Sequence, residues 1–379
     1  MKVCILSMQH VQNFGSLLQS YSLKKCLQKL GCEVFFIDIK RMEEDDLLLN
    51  INRKLYINEI EGKNSSFSKL KKIDKYTINR FKIKYKSNCQ LEIMNNFRNN
   101  ILGAAESSND NHYDMCVIGS DEVFNCMAET PWGFTSQLFG NVEQADKVIT
   151  YAASCGFTTY TDLPPTVSEK ITETFKNVSA ISVRDKNTKE FVEKLSSKQV
   201  FQHLDPVLVG DFDNEIEQAK EPSDLPGNFC IVYSYYNRIH KKEEIDRIKS
   251  FCKKNKLEIV TVGAPQMWVK NHLVLTPFEL LKVFKKASFV ITDTFHGTIF
   301  SVRYSNKFAV LLRDSNKNKL FDLVCRLGIK EHLINNITEL RKAFETEKNS
   351  IKIEQILKRE RQNTENYLRN NIGCEKFYE

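Results

Sequence analysis

No run in this 379-residue sequence approaches the roughly 20 consecutive apolar residues of a membrane-spanning helix, so no span is expected. The opening MKVCILSMQH starts directly as a strand and shows no long apolar leader. Cys-x-x-Cys does not occur. The 11 cysteines are odd in number and scattered, which argues against a disulfide framework and against metal-ligand spacing. Most of them, Cys4, Cys116 and Cys230 included, sit inside apolar runs and read as small buried hydrophobes of a reducing compartment. The expected location is cytoplasmic, at most peripheral to the inner face of a membrane. G-x-G-x-x-G and G-K-[ST] are also missing, so dinucleotide and P-loop readings fail. A net charge of +7 is too mild to argue for nucleic acid, and no helix-turn-helix or zinc-finger pattern supports that partner.

What is present is the composition of a globular protein, 41% hydrophobic and 27% charged, in a chain long enough for two cores. Short β-rich apolar runs alternate with helical stretches, the signature of parallel sheet with crossover helices. KVCILS, the helical GSLLQSYSLKKCLQKLG and EVFFIDI make one βαβ unit, with Leu17, Tyr21, Leu23, Leu27 and Leu30 at helical spacing and Gly31 as the stop. MCVIGS, KVITYAAS and AISVRD continue the first series. FCIVYSYY, LEIVTVG, SFVITDT and FAVLL form a second. Between them LDPVLV reads as a crossing between domains, because Pro206 forces Asp205 towards an extended conformation. The expected architecture is α/β: a doubly wound, Rossmann-like domain over 1–205, a second over 206–350, and a charged C-terminal helix within 351–379 that can pack back on the first. Residues 41–112 interrupt the rhythm as an inserted, mostly helical segment. Its stretch SKLKKIDKYTINRFKIKYK has eight Lys or Arg against one Asp. A solvated helical face is the favoured reading, with contact to an anionic membrane surface the minority one.

Ligands of doubly wound sheets bind beyond the carboxyl ends of strands, at helix N-termini, and four junctions qualify. In QNFGSLLQ, Gly15 permits close backbone approach and helix N–H groups can meet an anion, while Asn13 equally suits a plain cap. In VIGSDEVFN, Ser120 or Asp121 can cap a helix, or Asp121 can accept from a hydroxyl-bearing substrate. In SVRDKNTKEF, Arg184 ends a strand and offers a planar fork for carboxylate or phosphate, with Asp185 as a cap. In ITDTFHGTIFSV, Asp293 or Thr294 can cap the helix that starts near His296, Gly297 allows ligand approach, and the Gly297 and Thr298 N–H groups would face an anion. His296 reads equally well as a general acid beside a phosphorylated substrate or as a histidine satisfying local backbone.

Taken together and in order, NFGSLLQSYSLKKCLQKLG, GSDEVFN, YAASCGF, SVRD, LDPVLV and ITDTFHGTIFSV resemble the polysaccharide pyruvyl transferase family, over roughly residues 1 to 330. The resemblance implies a GT-B-like pair of domains facing a cleft, phosphoenolpyruvate as donor substrate with no cofactor or metal, and a sugar acceptor, free or lipid-linked. The implied product is a pyruvylated sugar, usually a cyclic ketal, for a cell-surface polysaccharide. By matching positions, His296 would be the acid/base residue and Arg184 a ligand for donor carboxylate or phosphate. Gly297 and Thr298 would give backbone donors, and Asn13, Gly15, Ser120 and Asp121 would line the cleft. The chain departs from the common pattern in having Glu122 and Phe124 where Gln and Trp are usual, and Lys317 and Lys319 where an arginine is often seen. Two rivals remain at this level. One is a GT-B glycosyltransferase using a nucleotide-sugar, with Arg303, Arg313 and Lys317 for its diphosphate. The other is a non-catalytic sugar-binding relative.

Overall fold

Two six-stranded parallel sheets organise the chain in a computed structural model that describes residues 1–42, 44–45, 48, 75–104, 111–130, 132–236, 238–313 and 317–373. The first contains β1 (Lys2–Leu6), β2 (Glu33–Ile37), β3 (Tyr113–Asp121), β4 (Ala145–Ala153), β5 (Val178–Val183) and β6 (Val200–Gln202), in the order β2-β1-β3-β4-β5-β6. The second contains β7 (Phe229–Tyr233), β8 (Glu258–Val262), β9 (Asn271–Leu273), β10 (Phe289–Thr292), β11 (Phe308–Leu311) and β12 (Leu333–Ile334), in the order β12-β11-β10-β7-β8-β9. This is the expected pair of doubly wound domains facing a cleft. The short strands β6, β9 and β12 were not legible, since two or three residues carry no period. LDPVLV crosses between the two sheets, and Asp205 has the non-helical backbone expected before Pro206. Pro206 occupies the first position of a one-turn helix, Pro206–Val209, where its fixed φ and missing N–H cost nothing.

Five helices matter for the site: α1 (Phe14–Lys29), α2 (Lys75–Asn96), α3 (Phe295–Tyr304), α4 (Lys317–Leu327) and α5 (Ser350–Ile372). The sheets are not independent bodies joined by a tether. Phe14, Leu17, Leu18 and Tyr21 of α1 share one hydrophobic cluster with Phe229, Ile231, Phe295 and Ile299 of the second domain. Tyr21 meets the Phe278 ring edge-on at 5.1 Å. The last helix returns to the first sheet, where Tyr367 donates to Thr150 O at 2.8 Å and Lys147 Nζ to Asn371 O at 2.6 Å.

From the insertion, the end of α2 reaches across to the second domain. Gln90 exchanges two hydrogen bonds with Leu275, at 2.8 and 3.0 Å, and Lys86 Nζ donates to His272 O at 2.6 Å. Most of the basic stretch identified in the sequence lies outside the described side chains. Among the described residues no helix is long and apolar enough to cross a membrane.

Candidate active site

A cleft of about 1090 Å³ opens between the carboxyl ends of the two sheets. Its first-domain wall is built on α1. Asn13 caps that helix, its side chain accepting from Ser16 N at 2.7 Å. Ser16 Oγ donates to Asp121 Oδ2 at 2.6 Å. One turn on, Gln19 donates to Ser7 Oγ at 2.8 Å and accepts from Ser120 N at 3.1 Å. The face of α1 against the sheet is therefore a buried polar layer of Ser16, Gln19 and Ser20, fully hydrogen-bonded as such a layer must be. The second junction opens no helix. Asp121 is the last residue of β3, lines the cleft and is held by Ser16.

Arg184 and His296 come together around a residue the sequence reading did not select, Asp205. Arg184 is 3% exposed. Its Nη1 lies 2.9 Å from Asp205 Oδ2 and 3.7 Å from Asp121 Oδ1, and its guanidinium stands 4.2 Å from the Phe295 ring centre. Asp205 is wholly buried and also accepts from Val207 N. Burial works to raise the Asp205 carboxyl pKa, yet His296 and Arg184 outweigh it and hold the group below its usual value. His296 Nε2 stands 3.5 Å from Asp205 Oδ2, an ion-pair separation rather than a formed hydrogen bond. The Nε of Arg184 and the Nε2 of His296 are both buried without a hydrogen-bond partner.

The remaining side of the imidazole explains Gly15. A Cβ there would lie 2.1 Å from His296 Nδ1, so the glycine admits the histidine of the opposite domain rather than a ligand. Thr294 is the cap of α3, accepting from Gly297 N at 2.9 Å, while Thr298 N bonds Thr294 O at 3.1 Å. Gly297 and Thr298 thus spend their N–H groups inside the helix start and do not face the cleft, contrary to expectation. Gly297 is required by packing, since a Cβ would meet Thr292 Oγ1 at 2.1 Å.

Four further expected site residues lie away from the cleft walls. Ser120 is wholly buried, donating to Ala152 O at 3.1 Å. Asp293 sits inside the second domain, accepting from Ser234 at 2.7 Å and from Arg313 Nε at 3.2 Å, and burial raises its pKa despite Ser234 and the nearby arginines. Arg313 is bound to Glu244 at 2.7 Å as well. Arg303 donates to Leu208 O and Gly210 O, both at 3.0 Å, and fastens the domains at their seam beside a separate cavity. Each was chosen as a polar or charged residue near a motif, and in each case a partner distant in the sequence takes it up: a main-chain carbonyl for Ser120 and Arg303, side chains for Asp293 and Arg313.

The mouth of the cleft carries an ion pair between domains. Lys319 Nζ, on α4, lies 2.5 Å from Glu122 Oε1, and Asn125 donates to the other carboxylate oxygen at 2.8 Å. Burial pushes the Glu122 carboxyl up, but Lys319, Arg184 and Asn125 together hold it down at about 2. Two departures from the family pattern therefore face each other. A second contact from α4, Arg326 Nη1 to Arg184 O at 2.7 Å, steadies the end of β5. Among the described residues no group of His, Cys, Asp or Glu is arranged to hold a metal ion. Chemically, the arrangement offers a buried guanidinium and a histidine flanked by a carboxylate in one corner of the cleft, which suits an anionic group and proton transfer.

A protein-family model described as polysaccharide pyruvyl transferase matches residues 13–315. No curated protein matches the sequence. Among solved structures, the UDP-GlcNAc 2-epimerase from Neisseria meningitidis bound to UDP-GlcNAc is similar at 12% identity and TM-score 0.48, over 97% of this chain and 100% of that one. The UDP-GlcNAc 2-epimerase of Methanocaldococcus jannaschii aligns at 11% identity and TM-score 0.46, over 94% and 99%. The glycosyltransferase SnogD from Streptomyces nogalater aligns at 13% identity and TM-score 0.41, over 97% and 98%.

Proposed function

The chain belongs to the polysaccharide pyruvyl transferase family, and on that premise we propose that it transfers the pyruvyl group of phosphoenolpyruvate to sugar hydroxyls, closing a cyclic ketal. The observation that carries this reading is the convergence of Arg184, His296 and Asp205 at the start of α3 in the interdomain cleft. Arg184 is the proposed ligand of donor carboxylate or phosphate. His296 delivers a proton to the donor methylene carbon, which turns C2 into an electrophile that the first sugar hydroxyl attacks. The second hydroxyl then displaces phosphate. The balance closes: one hydroxyl proton replaces the one given to carbon, and the other leaves with inorganic phosphate. As proposed, the step calls for no cofactor or metal. A positioned acid/base group of this kind typically contributes about 10²–10⁴-fold, and holding donor and acceptor together adds to it.

Asp205 acts through His296 as a positioning residue, its carboxylate 3.5 Å from the imidazole Nε2. The nucleotide-sugar alternative finds less support, because of the three cations chosen for a diphosphate Arg303 and Arg313 are committed to backbone carbonyls and to carboxylates, and Lys317 does not line the cleft. The test is thermal stabilisation by phosphoenolpyruvate against a panel of nucleotide-sugars. Saturation at 100 times the dissociation constant adds about 2.7 kcal/mol. A shift with phosphoenolpyruvate supports the reading. A shift with a nucleotide-sugar alone overturns it.

A further inference from the structure

The helix that brings His296 to the cleft is short, and its other end opens elsewhere. α3 runs from Phe295 to Tyr304. At 1.5 Å per residue, Tyr304 lies about 12 Å from His296 along the axis. There Arg303 and Tyr304 line a second cavity, of about 1120 Å³, at the seam of the two domains. The cleft and this cavity share no lining residue. The turn that carries Asp205 makes the same passage. Asp205 holds the Arg184–His296 corner, while Val209, Gly210 and Asp211 reach the second cavity. Arg303 fastens the two elements to each other there, through its bonds to Leu208 O and Gly210 O.

This second cavity holds charge that the fold leaves unmatched. Lys348 lies on its wall and donates from Nζ to Val302 O at 2.8 Å, in the last turn of α3. Among the described residues neither Lys348 nor Arg303 pairs with a carboxylate; both spend their bonds on main-chain carbonyls. Burial and the neighbouring Arg303 charge push the Lys348 ammonium down to about 8, the mark of crowded cations. Beside them the Tyr304 hydroxyl is buried and makes no hydrogen bond within the fold. Such a group gains from any partner that reaches it. Two adjacent cations and an unused hydroxyl donor suit a phosphate. Asp211 and Asp213 line the same cavity and, among the described residues, pair with no cation. They disfavour a bare polyanion and suit a ligand whose hydroxyls can donate to them. The volume is that of a small-molecule site.

We propose that this cavity is a regulatory site for a phosphorylated sugar, its phosphate held by Lys348 and the Tyr304 hydroxyl and its ring hydroxyls by Asp211 and Asp213. The bound ligand bears on α3 and on the Asp205 turn, the two elements that hold the catalytic corner, and stiffens that corner from behind. The site stands apart from the pyruvyl-transfer reading and is tested without turnover. The full chain is titrated by calorimetry with glucose 1-phosphate and N-acetylglucosamine 1-phosphate, against glucose and inorganic phosphate. Lys348→Met, Tyr304→Phe and Arg184→Lys are titrated alongside. The sugar phosphates are expected to bind more tightly than glucose or phosphate alone. Binding should weaken about tenfold in Lys348→Met, weaken in Tyr304→Phe, and stay unchanged in Arg184→Lys. Tyr304→Phe removes only a hydroxyl that bonds nothing, so its fold is kept. Amide hydrogen exchange at residues 205–210 and 295–298 should slow when the ligand is bound. No binding, or binding that survives both Lys348→Met and Tyr304→Phe, overturns the site. Binding lost only in Arg184→Lys places the ligand in the cleft and overturns it too. Phosphate bound as tightly as its sugar esters overturns the ligand class. Unchanged exchange around Asp205 and His296 overturns the regulatory role.

Discussion

At His296 the side chain is confined by Gly15 on one side and Asp205 on another, and its Nε2 makes no hydrogen bond within the fold. His296→Ala is therefore expected to abolish turnover while leaving the circular-dichroism spectrum and melting temperature near wild type; retained turnover removes it from the mechanism. Gly15→Ala acts on the same ring from the far domain. The added Cβ must push the imidazole aside, and a displacement on the ångström scale costs about 10²-fold in rate. Steady-state kinetics check this, and an unchanged kcat would show that the ring tolerates the shift. Arg184 is different because its charge is already matched. Arg184→Ala strands the wholly buried Asp205, a loss of about 3–5 kcal/mol on denaturant unfolding. Arg184→Lys keeps a charge but not the planar fork, so it is the variant in which donor binding is readable, with affinity expected to fall about tenfold or more by calorimetry.

Among the elements, α1 carries the most unusual requirement. Its leucines and Tyr21 serve the core as any amphipathic helix would, but Ser16, Gln19 and Ser20 are buried too. Gln19→Leu would leave Ser120 N–H without its acceptor and Ser7 without its donor. Each buried unsatisfied group costs about 1–3 kcal/mol, so a lower urea midpoint is expected; an unchanged midpoint would show that the layer repacks. At the start of α3, Thr294→Ala removes the oxygen that accepts from Gly297 N. A lost cap costs about 1 kcal/mol in stability. Because His296 sits in that first turn, activity should fall by more than the lost stability accounts for.

For the whole molecule, the two domains meet through an apolar seam at α1 and through ion pairs at the cleft mouth. The Glu122 carboxyl is held at about 2, below its ordinary value of 4.5. Its contribution to stability is therefore fully present above pH 4.5 and is lost as the pH falls towards 2. Denaturation midpoints across that window should drop more steeply for the wild type than for Glu122→Gln. Parallel curves would show that the pair adds nothing. Neither partner marks the contact alone, since Glu122 and Lys319 are nearly 200 positions apart and a charge at a motif edge usually reads as a solvated residue.

Much of this was legible before any coordinates. Hydrophobic periodicity is local, so the alternation of strands and helices, the parallel sheets and the strand-to-helix junctions at Asn13, Arg184 and His296 could be read along the chain. So could the caps, because a cap is satisfied within three residues: Asn13 and Asp185 bond their own helix starts. What tertiary structure alone decided is which polar groups are shared. Asp205 looked like the residue before a proline, and only the folding of two domains onto each other sets it between Arg184 and His296. Arg303, Arg313 and Asp293 had the right chemistry in sequence, and their neighbours in space spend it on other partners. Gly15 and Gly297 read alike as openings for a ligand. One admits a histidine from the facing domain and the other a threonine of its own. Sequence spacing sets the elements because their bonds close over a few residues. The site is set by contacts between distant positions, 21 apart for Arg184–Asp205 and 197 for Lys319–Glu122, and those are fixed only when the sheets are packed.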